Sequence, residues 1–383
     1  SPGAGAALGV APGTASGIAS GVAVTRQLQV GVITLGACLF YALGFAGRVG
    51  AYLSGKAPGF QDMLDKLLGH YRVDYVQFGF IRRGLIGTIY APLPDGYEIY
   101  FAHALNALAA LAILWIILDL SRYCKGMGVI WMIGLAISPF MFCQISYDMA
   151  RFDPVLFVML ILSLRLLIAR RDWGVVIVTI LGVLIHELYL FFGLPVIVAA
   201  AMTRLQGAGL GPQIRAALNS PLILATVGSS ALLAVLLAQM GGVSDGAMAA
   251  VGESNLAWNR AFLNIRWDGD AVETGAMMLW LVLIYLSYLG FLSLNGLSDT
   301  VLRLAPLPSL ALFLFGFDYP RWVLLFFLAC LAVVCFLMLS RGARLPERLS
   351  WRTAWPLVLF LPMGPIGYID FFPYVQEVLT RLF

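Results

Sequence analysis

Apolar runs of about 18 to 22 residues recur along this 383-residue chain, separated by short polar breaks. That is the length an α-helix needs to cross a hydrocarbon layer. The runs do not alternate apolar with polar residues, which excludes a transmembrane β-barrel. Only 11% of the residues are charged, against about a quarter in soluble domains. The fold expected is all-α: a polytopic integral membrane protein with about eleven transmembrane or partly spanning helices.

Helical spans are predicted over residues 29–50, 98–120, 126–143, 154–168, 173–185, 188–202, 221–240, 275–294, 301–317, 321–339 and 354–369. Residues 1–27, rich in Gly, Ala and Ser, read as a flexible cytoplasmic tail. Residues 28–383 then form one transmembrane domain, with a long first outer loop over 51–97 and a second over 241–274. Within the first loop, residues 61–75 carry Met63, Leu64, Leu67 and Leu68 at helical spacing, which predicts an interfacial amphipathic helix.

Short basic loops set the orientation. Arg122 and Lys125, Arg170 and Arg171, Arg204 and Arg215, and Arg341 with Arg344, Arg348 and Arg352 fall on one side of such a topology. The positive-inside rule makes that side cytoplasmic. The net charge of +4 comes without a basic stripe, so nucleic acid is not an expected partner. The five cysteines show neither CxxC nor metal-ligand spacing and read as packing residues.

The opposite, outer side collects the chemistry-bearing residues. Arg82 and Arg83 sit in the segment QFGFIRRGLIGTIY, where two adjacent cations among apolar residues call for anionic company. Guanidinium groups suit phosphate oxygens, through planar paired donors, and equally suit lipid headgroups. Gly84 and Gly87 would let backbone approach a ligand, or simply turn the chain. Two corners share the form Asp-x-x-Arg, at Asp148/Arg151 and Asp318/Arg321. Each serves either as a helix N-cap beside a snorkelling arginine or as part of a site. His186–Glu187 lies at the tip of a tight helical hairpin, without the HExxH of a zinc peptidase. Trp258, Trp267, Tyr319 and Trp322 are belt residues that would also stack on sugars, and His103 reads as a packing residue.

Many spans, a long first outer loop with acidic residues (Asp62, Asp65, Asp74), and Arg82–Arg83, Asp148–Arg151 and Asp318–Arg321 at the outer face together form a pattern. It resembles the bacterial multi-pass glycosyltransferases of the GT-C type and the related O-antigen and exopolysaccharide polymerases. The resemblance implies a polyprenyl-phosphate- or diphosphate-linked sugar donor held in the outer leaflet and a saccharide or glycolipid acceptor. A loop carboxylate would act as base, and basic residues, sometimes with Mg or Mn, would stabilise the leaving phosphate. On that pattern Asp148, Asp318, Asp74 and Glu187 are the candidate bases, and Arg82, Arg83, Arg151, Arg321 and His186 the candidate phosphate and substrate contacts. The expected location is the bacterial cytoplasmic membrane with the site facing the periplasm. A transporter or flippase of lipid-linked sugars is the competing class, and a scaffold subunit of an assembly complex a third.

Overall fold

The computed structural model describes residues 14–53, 68–81, 83–147, 149–205, 210–239, 271–314 and 319–347. Every regular element among them is helical. In chain order these are α1 (Thr14–Leu53), α2 (Tyr75–Phe78), α3 (Gly84–Tyr90), α4 (Glu98–Ser121), α5 (Met127–Ala136), a π turn (Pro139–Cys143) and α6 (Gln144–Tyr147). Then follow α7 (Asp153–Ile168), α8 (Asp172–Ile185), α9 (Tyr189–Met202), α10 (Leu210–Leu218), α11 (Pro221–Gln239) and α12 (Ala271–Leu294). The chain continues through α13 (Thr300–Leu304), a 3₁₀ stretch (Leu307–Leu314) and α14 (Tyr319–Arg341).

The described residues include five stretches long and apolar enough to cross a membrane: Arg26–Ala46, Glu98–Ser121, Met127–Tyr147, Pro221–Gln239 and Arg321–Arg341. Shorter apolar helices accompany them. α14 is the axis. Every residue from Trp322 to Met338 is buried, which suits a helix that is apolar all round. The peripheral helices instead turn large apolar residues outward, among them Leu35 and Leu39 on α1, Leu108 and Leu111 on α4, and Leu224 and Leu232 on α11. A water-soluble molecule rarely exposes so much apolar surface, whereas lipid covers it without cost.

Local sequence explains the breaks. The span predicted over 126–143 is interrupted at Pro139, which lacks an N–H and disfavours α geometry in the residue before it. Met141 there has φ −100° and ψ −106°, outside helical values, before α6 resumes. Gly44 of α1 meets this break so closely that a Cβ would lie 2.1 Å from the Cys143 carbonyl oxygen. α7 starts on Asp153–Pro154, a proline in the first turn where its fixed φ is already helical. His186, extended at φ −162° and ψ 129°, ends α8 and gives the short link to α9.

Ion pairs mark the two ends of this bundle. Asp119 meets Arg165 and Asp172 meets Arg204 where α4, α7 and α9 finish and α8 begins. Asp153, His186–Glu187 and Arg321 lie where α7, α9 and α14 begin. The first is called here the far end, the second the site end.

The helix expected over 61–75 is not what residues 68–75 form. The helical turn at Leu68 and Gly69 stops at His70, and Leu68, Tyr71 and Val73 are buried in the protein instead of lying on an interface. Tyr71 Oη donates to the Ala150 carbonyl at 3.3 Å and ties the segment to the entrance of α7. Residues 14–27, expected as part of a flexible tail over 1–27, are helical and belong to α1, which their Ala- and Val-containing sequence extends toward the N-terminus. Residues 1–13, residues 54–67 with Asp62 and Asp65, most of the second outer loop and the span expected over 354–369 lie outside the described residues.

Candidate functional site

Arg83 reaches the site end through an unusual backbone. Its φ of 61° and ψ of 11° place a non-glycine residue in the left-handed region, immediately before α3. Neighbouring contacts hold it there. Thr88 Oγ1 accepts from the Tyr75 N–H at 2.9 Å and donates to the Gly84 carbonyl at 2.6 Å. Gly84 packs on the Tyr75 ring, and a Cβ on Gly87 would sit 1.8 Å from the Val73 carbonyl oxygen. These glycines therefore let the chain approach itself, where the sequence also allowed an approach to a ligand.

From this position Arg83 forms a forked pair with Glu187, Nη2 to Oε1 at 2.8 Å and Nε to Oε2 at 3.4 Å. Its Nη1 lies 3.3 Å from His70 Nε2. A guanidinium only donates, so His70 Nε2 must carry its lone pair, and protonation there would set N–H against N–H. On the other side, Arg321 grips Asp153 with two bonds of 2.6 Å, Nε to Oδ2 and Nη2 to Oδ1. The Arg321 Nη2 also approaches His186 Nε2 at 3.4 Å. By the same reasoning that nitrogen is the acceptor, and Nδ1 holds the proton, 3.3 Å from Glu187 Oε2. The Leu188 N–H approaches Nδ1 at 3.2 Å and would need the opposite tautomer. Two charged partners outweigh one neutral amide.

The result is one continuous network: His70, Arg83, Glu187, His186, Arg321, Asp153. It joins the first loop, the α8–α9 corner, the start of α7 and the start of α14. Asp153 and His186 are 2% and 3% exposed, so these groups sit in a medium that magnifies both attraction and the cost of a missing partner. Burial, then the charges of Arg83 and Arg321, push the His186 imidazole down to about 4, against a smaller upward pull from Glu187. Burial and Arg83, with lesser help from His186 and Arg321, hold His70 well below the usual histidine range. For Glu187 burial acts upward, but Arg83 and His186 together hold the carboxyl well below its usual value. Both histidines are thus neutral acceptors, and Glu187 is ionised.

Two arginines and two carboxylates compensate each other here, and Arg151 adds a further positive charge beside Asp153. Arg151 and Asp153 also line a pocket of about 370 Å³, counted to its open mouth, walled by Ile113, Phe157, Leu324 and Leu328. Apart from Gln144, Arg151 and Asp153 its lining is apolar.

Of the residues expected at the site, Arg83, His186, Glu187 and Arg321 are brought together directly, and Arg151 stands beside them. Asp74 is not part of the network. Its Oδ1 accepts from the Gln77 N–H at 2.7 Å, so it caps α2, as carboxylates do at helix starts. Arg82, Asp148 and Asp318 lie outside the described residues. Arg321 takes Asp153 as partner, on a helix 168 positions away in sequence, where the Asp-x-x-Arg spacing suggested Asp318. Trp322 is 6% exposed and turns its ring under the Arg321 guanidinium at 5.7 Å, so it offers no face to a sugar. His103 packs edge-on against Phe45, as a packing residue would.

Asp153 and His70, which the sequence places with the other outer-side charged and polar residues but not among the candidate bases or phosphate contacts, join the site. Asp153 precedes a proline and an apolar run, which reads as an ordinary cap; its only other signal is proximity to Arg151. His70 gave no signal beyond its place in the first loop. Among the described residues no group of three or more His, Cys, Asp or Glu side chains is placed to hold a metal ion. The carboxylates of the network are already held by arginines, and a divalent cation would have to lie against those positive charges. The described residues therefore do not fit Mg or Mn.

No protein-family model, curated protein or solved structure matches this chain.

Proposed function

We propose that this membrane protein is a glycosyltransferase or polysaccharide polymerase that works at the site end. It would move a sugar from a polyprenyl-phosphate- or diphosphate-linked donor to the hydroxyl of a saccharide or glycolipid. The observation that carries the proposal is the preorganised network in which Arg83 and Arg321 present forked donors beside an ionised Glu187. In this reading the far end, with its arginine-rich loops, faces the cytoplasm of a bacterial cell, about eleven helices cross or partly span the cytoplasmic membrane, and the site faces the periplasm.

The acceptor oxygen attacks the anomeric carbon while the bond from that carbon to the phosphate oxygen breaks, and the electron pair leaves on the phosphate. The acceptor proton passes to a carboxylate. The structure supports a coupling between these events. A donor phosphate meeting Arg83 competes with Glu187 for the same guanidinium. Once displaced, Glu187 loses the charge that holds its pKa low and becomes a stronger base. Arg321 and Arg151 add positive potential for the departing phosphate. Arg82, next in sequence to Arg83, is assigned to the same phosphate, and Asp148 and Asp318 remain alternative bases. No step is routed through a metal.

The competing class, a flippase of lipid-linked sugars, draws on one observation. Each guanidinium already has a carboxylate partner on another element, as a latch between helices would. Purified protein in lipid, given labelled polyprenyl-linked sugars and a panel of acceptors, separates the two. Transfer of label to an acceptor or a longer chain, lost in Arg83→Ala and Arg82→Ala while both variants stay monodisperse, supports the transferase. Wild-type product from both variants would sink the site assignment. Movement of the donor between leaflets of sealed vesicles, without transfer, would replace the enzyme by the flippase.

A further inference from the structure

α10 lies at the far end, away from the network. It follows α9 at the far end, after Arg204, and leads into α11 through Asn219 and Ser220. Its nine residues, LGPQIRAAL, divide by exposure into three faces. Gln213, Ala216 and Ala217 turn toward the protein, with Ala217 buried. Leu210, Ile214 and Leu218, four apart and therefore on one stripe, are 40%, 44% and 65% exposed. Gly211, Pro212 and Arg215 come next around the helix and are exposed as well. The stripe thus flanks the protein-facing side, and the polar face lies beyond it.

Charge at this end is weighted toward arginine. Asp172 is paired by Arg204 at 3.0 Å and Asp119 by Arg165 at 2.6 Å, while Arg170, Arg171 and Arg215 stand near the first pair on the exposed surface. Trp173, beside that pair at the start of α8, is 77% exposed. An exposed tryptophan, an apolar stripe and surplus arginines at the level where apolar helices begin match the border between acyl chains and anionic headgroups.

We propose that α10 is an interfacial helix that seats Leu210, Ile214 and Leu218 in the acyl boundary of an anionic leaflet, with Arg215, Arg170 and Arg171 at its headgroups. The occupant is the lipid surface. A partner protein would have to match the apolar stripe and would not need the surplus positive charge. The assignment rests on the membrane class of the fold alone, so it stands or falls separately from sugar transfer.

The test uses the full-length protein in vesicles, in a Cys38→Ser background, with a nitroxide attached at a cysteine introduced at 212, 214 or 218. Collisions with oxygen, which concentrates in lipid, are compared with collisions with a water-soluble nickel chelate. The oxygen-to-nickel ratio is expected to be higher at 214 and 218 than at 212, which lies on the opposite side of the helix. It is also expected to rise at 214 and 218 when phosphatidylglycerol replaces part of the phosphatidylcholine, and to lose that rise in Arg170→Gln/Arg171→Gln/Arg215→Gln. Equal ratios at all three positions would overturn the interfacial seat. A high ratio that ignores lipid charge would overturn the anionic partner. Exclusion of both reagents at 214 and 218 would mean that protein covers the stripe.

Discussion

The two ends of the bundle use the same chemistry to different effect. At the far end, Arg204 and Asp172 pair at 3.0 Å with side chains 27% and 49% exposed. At the site end, Arg321 and Asp153 pair at 2.6 Å with side chains 14% and 3% exposed. The far pair is screened by its surroundings and gains little beyond the entropy it costs. The site pair sits in low dielectric and leans on a histidine that leans in turn on a second ion pair. A left-handed arginine occurs at each end too. Arg170, at φ 56°, turns the chain between α7 and α8 and remains exposed, whereas Arg83, at φ 61°, is aimed into the network. The difference teaches that backbone strain and ion pairs mark a site only where burial couples them.

Substitutions can break that contrast. The largest effect is expected from Arg321→Ala, which leaves Asp153 buried without its partner and should cost about 3–5 kcal/mol. A melting curve in detergent checks it, and a melting point matching wild type would mean that Asp153 is not buried as an ion. Next comes Gly87→Ala. The new Cβ would collide with the Val73 carbonyl, so the 68–90 segment must move, at about 1–3 kcal/mol. Faster protease cleavage before α3 and loss of sugar transfer are expected together, and retention of both would show that the segment does not position Arg83.

Acid should separate the ends as well. The His186 imidazole is lowered from 6.5 to about 4 in the folded protein. Between those values the unfolded chain binds a proton that the folded chain refuses, so stability present above the upper value is lost as the pH falls. His70 acts in the same direction, and Glu187, lowered from 4.5, adds a further loss below that pH. His186→Gln should lessen the slope of melting temperature against pH across the His186 window. An unchanged slope would show that His186 is not held neutral. The smallest effect is expected from Arg204→Ala, within about 1 kcal/mol and shrinking in salt. A loss as large as that of Arg321→Ala would end the contrast between the two ends.

Much of the architecture was legible from periodicity and length. The helix predicted over 98–120 is observed as Glu98–Ser121, that over 173–185 as Asp172–Ile185, and that over 321–339 as Tyr319–Arg341. Apolar runs report helices directly, because a helix in lipid satisfies its own backbone. The site was legible only in part. Arg83, Arg321 and His186–Glu187 stood out because charge in apolar surroundings demands a partner. The partner's identity did not, since Arg321 found Asp153 on another helix and Asp74 turned inward to cap α2.

By itself, then, the amino-acid order determined that this chain is a bundle of apolar helices in which Arg83, Arg321 and His186–Glu187 call for charged or polar partners. Hydrophobic run length and charge placement are local properties, readable one segment at a time. Only the tertiary structure decided that α14 is the buried axis, that His70 and Asp153 belong with Arg83, Glu187, His186 and Arg321, and that both histidines are neutral acceptors. Those outcomes depend on which helix ends meet and how much water they exclude. Burial and pairing across up to 168 positions of chain are properties of packing, and no stretch of sequence carries them alone.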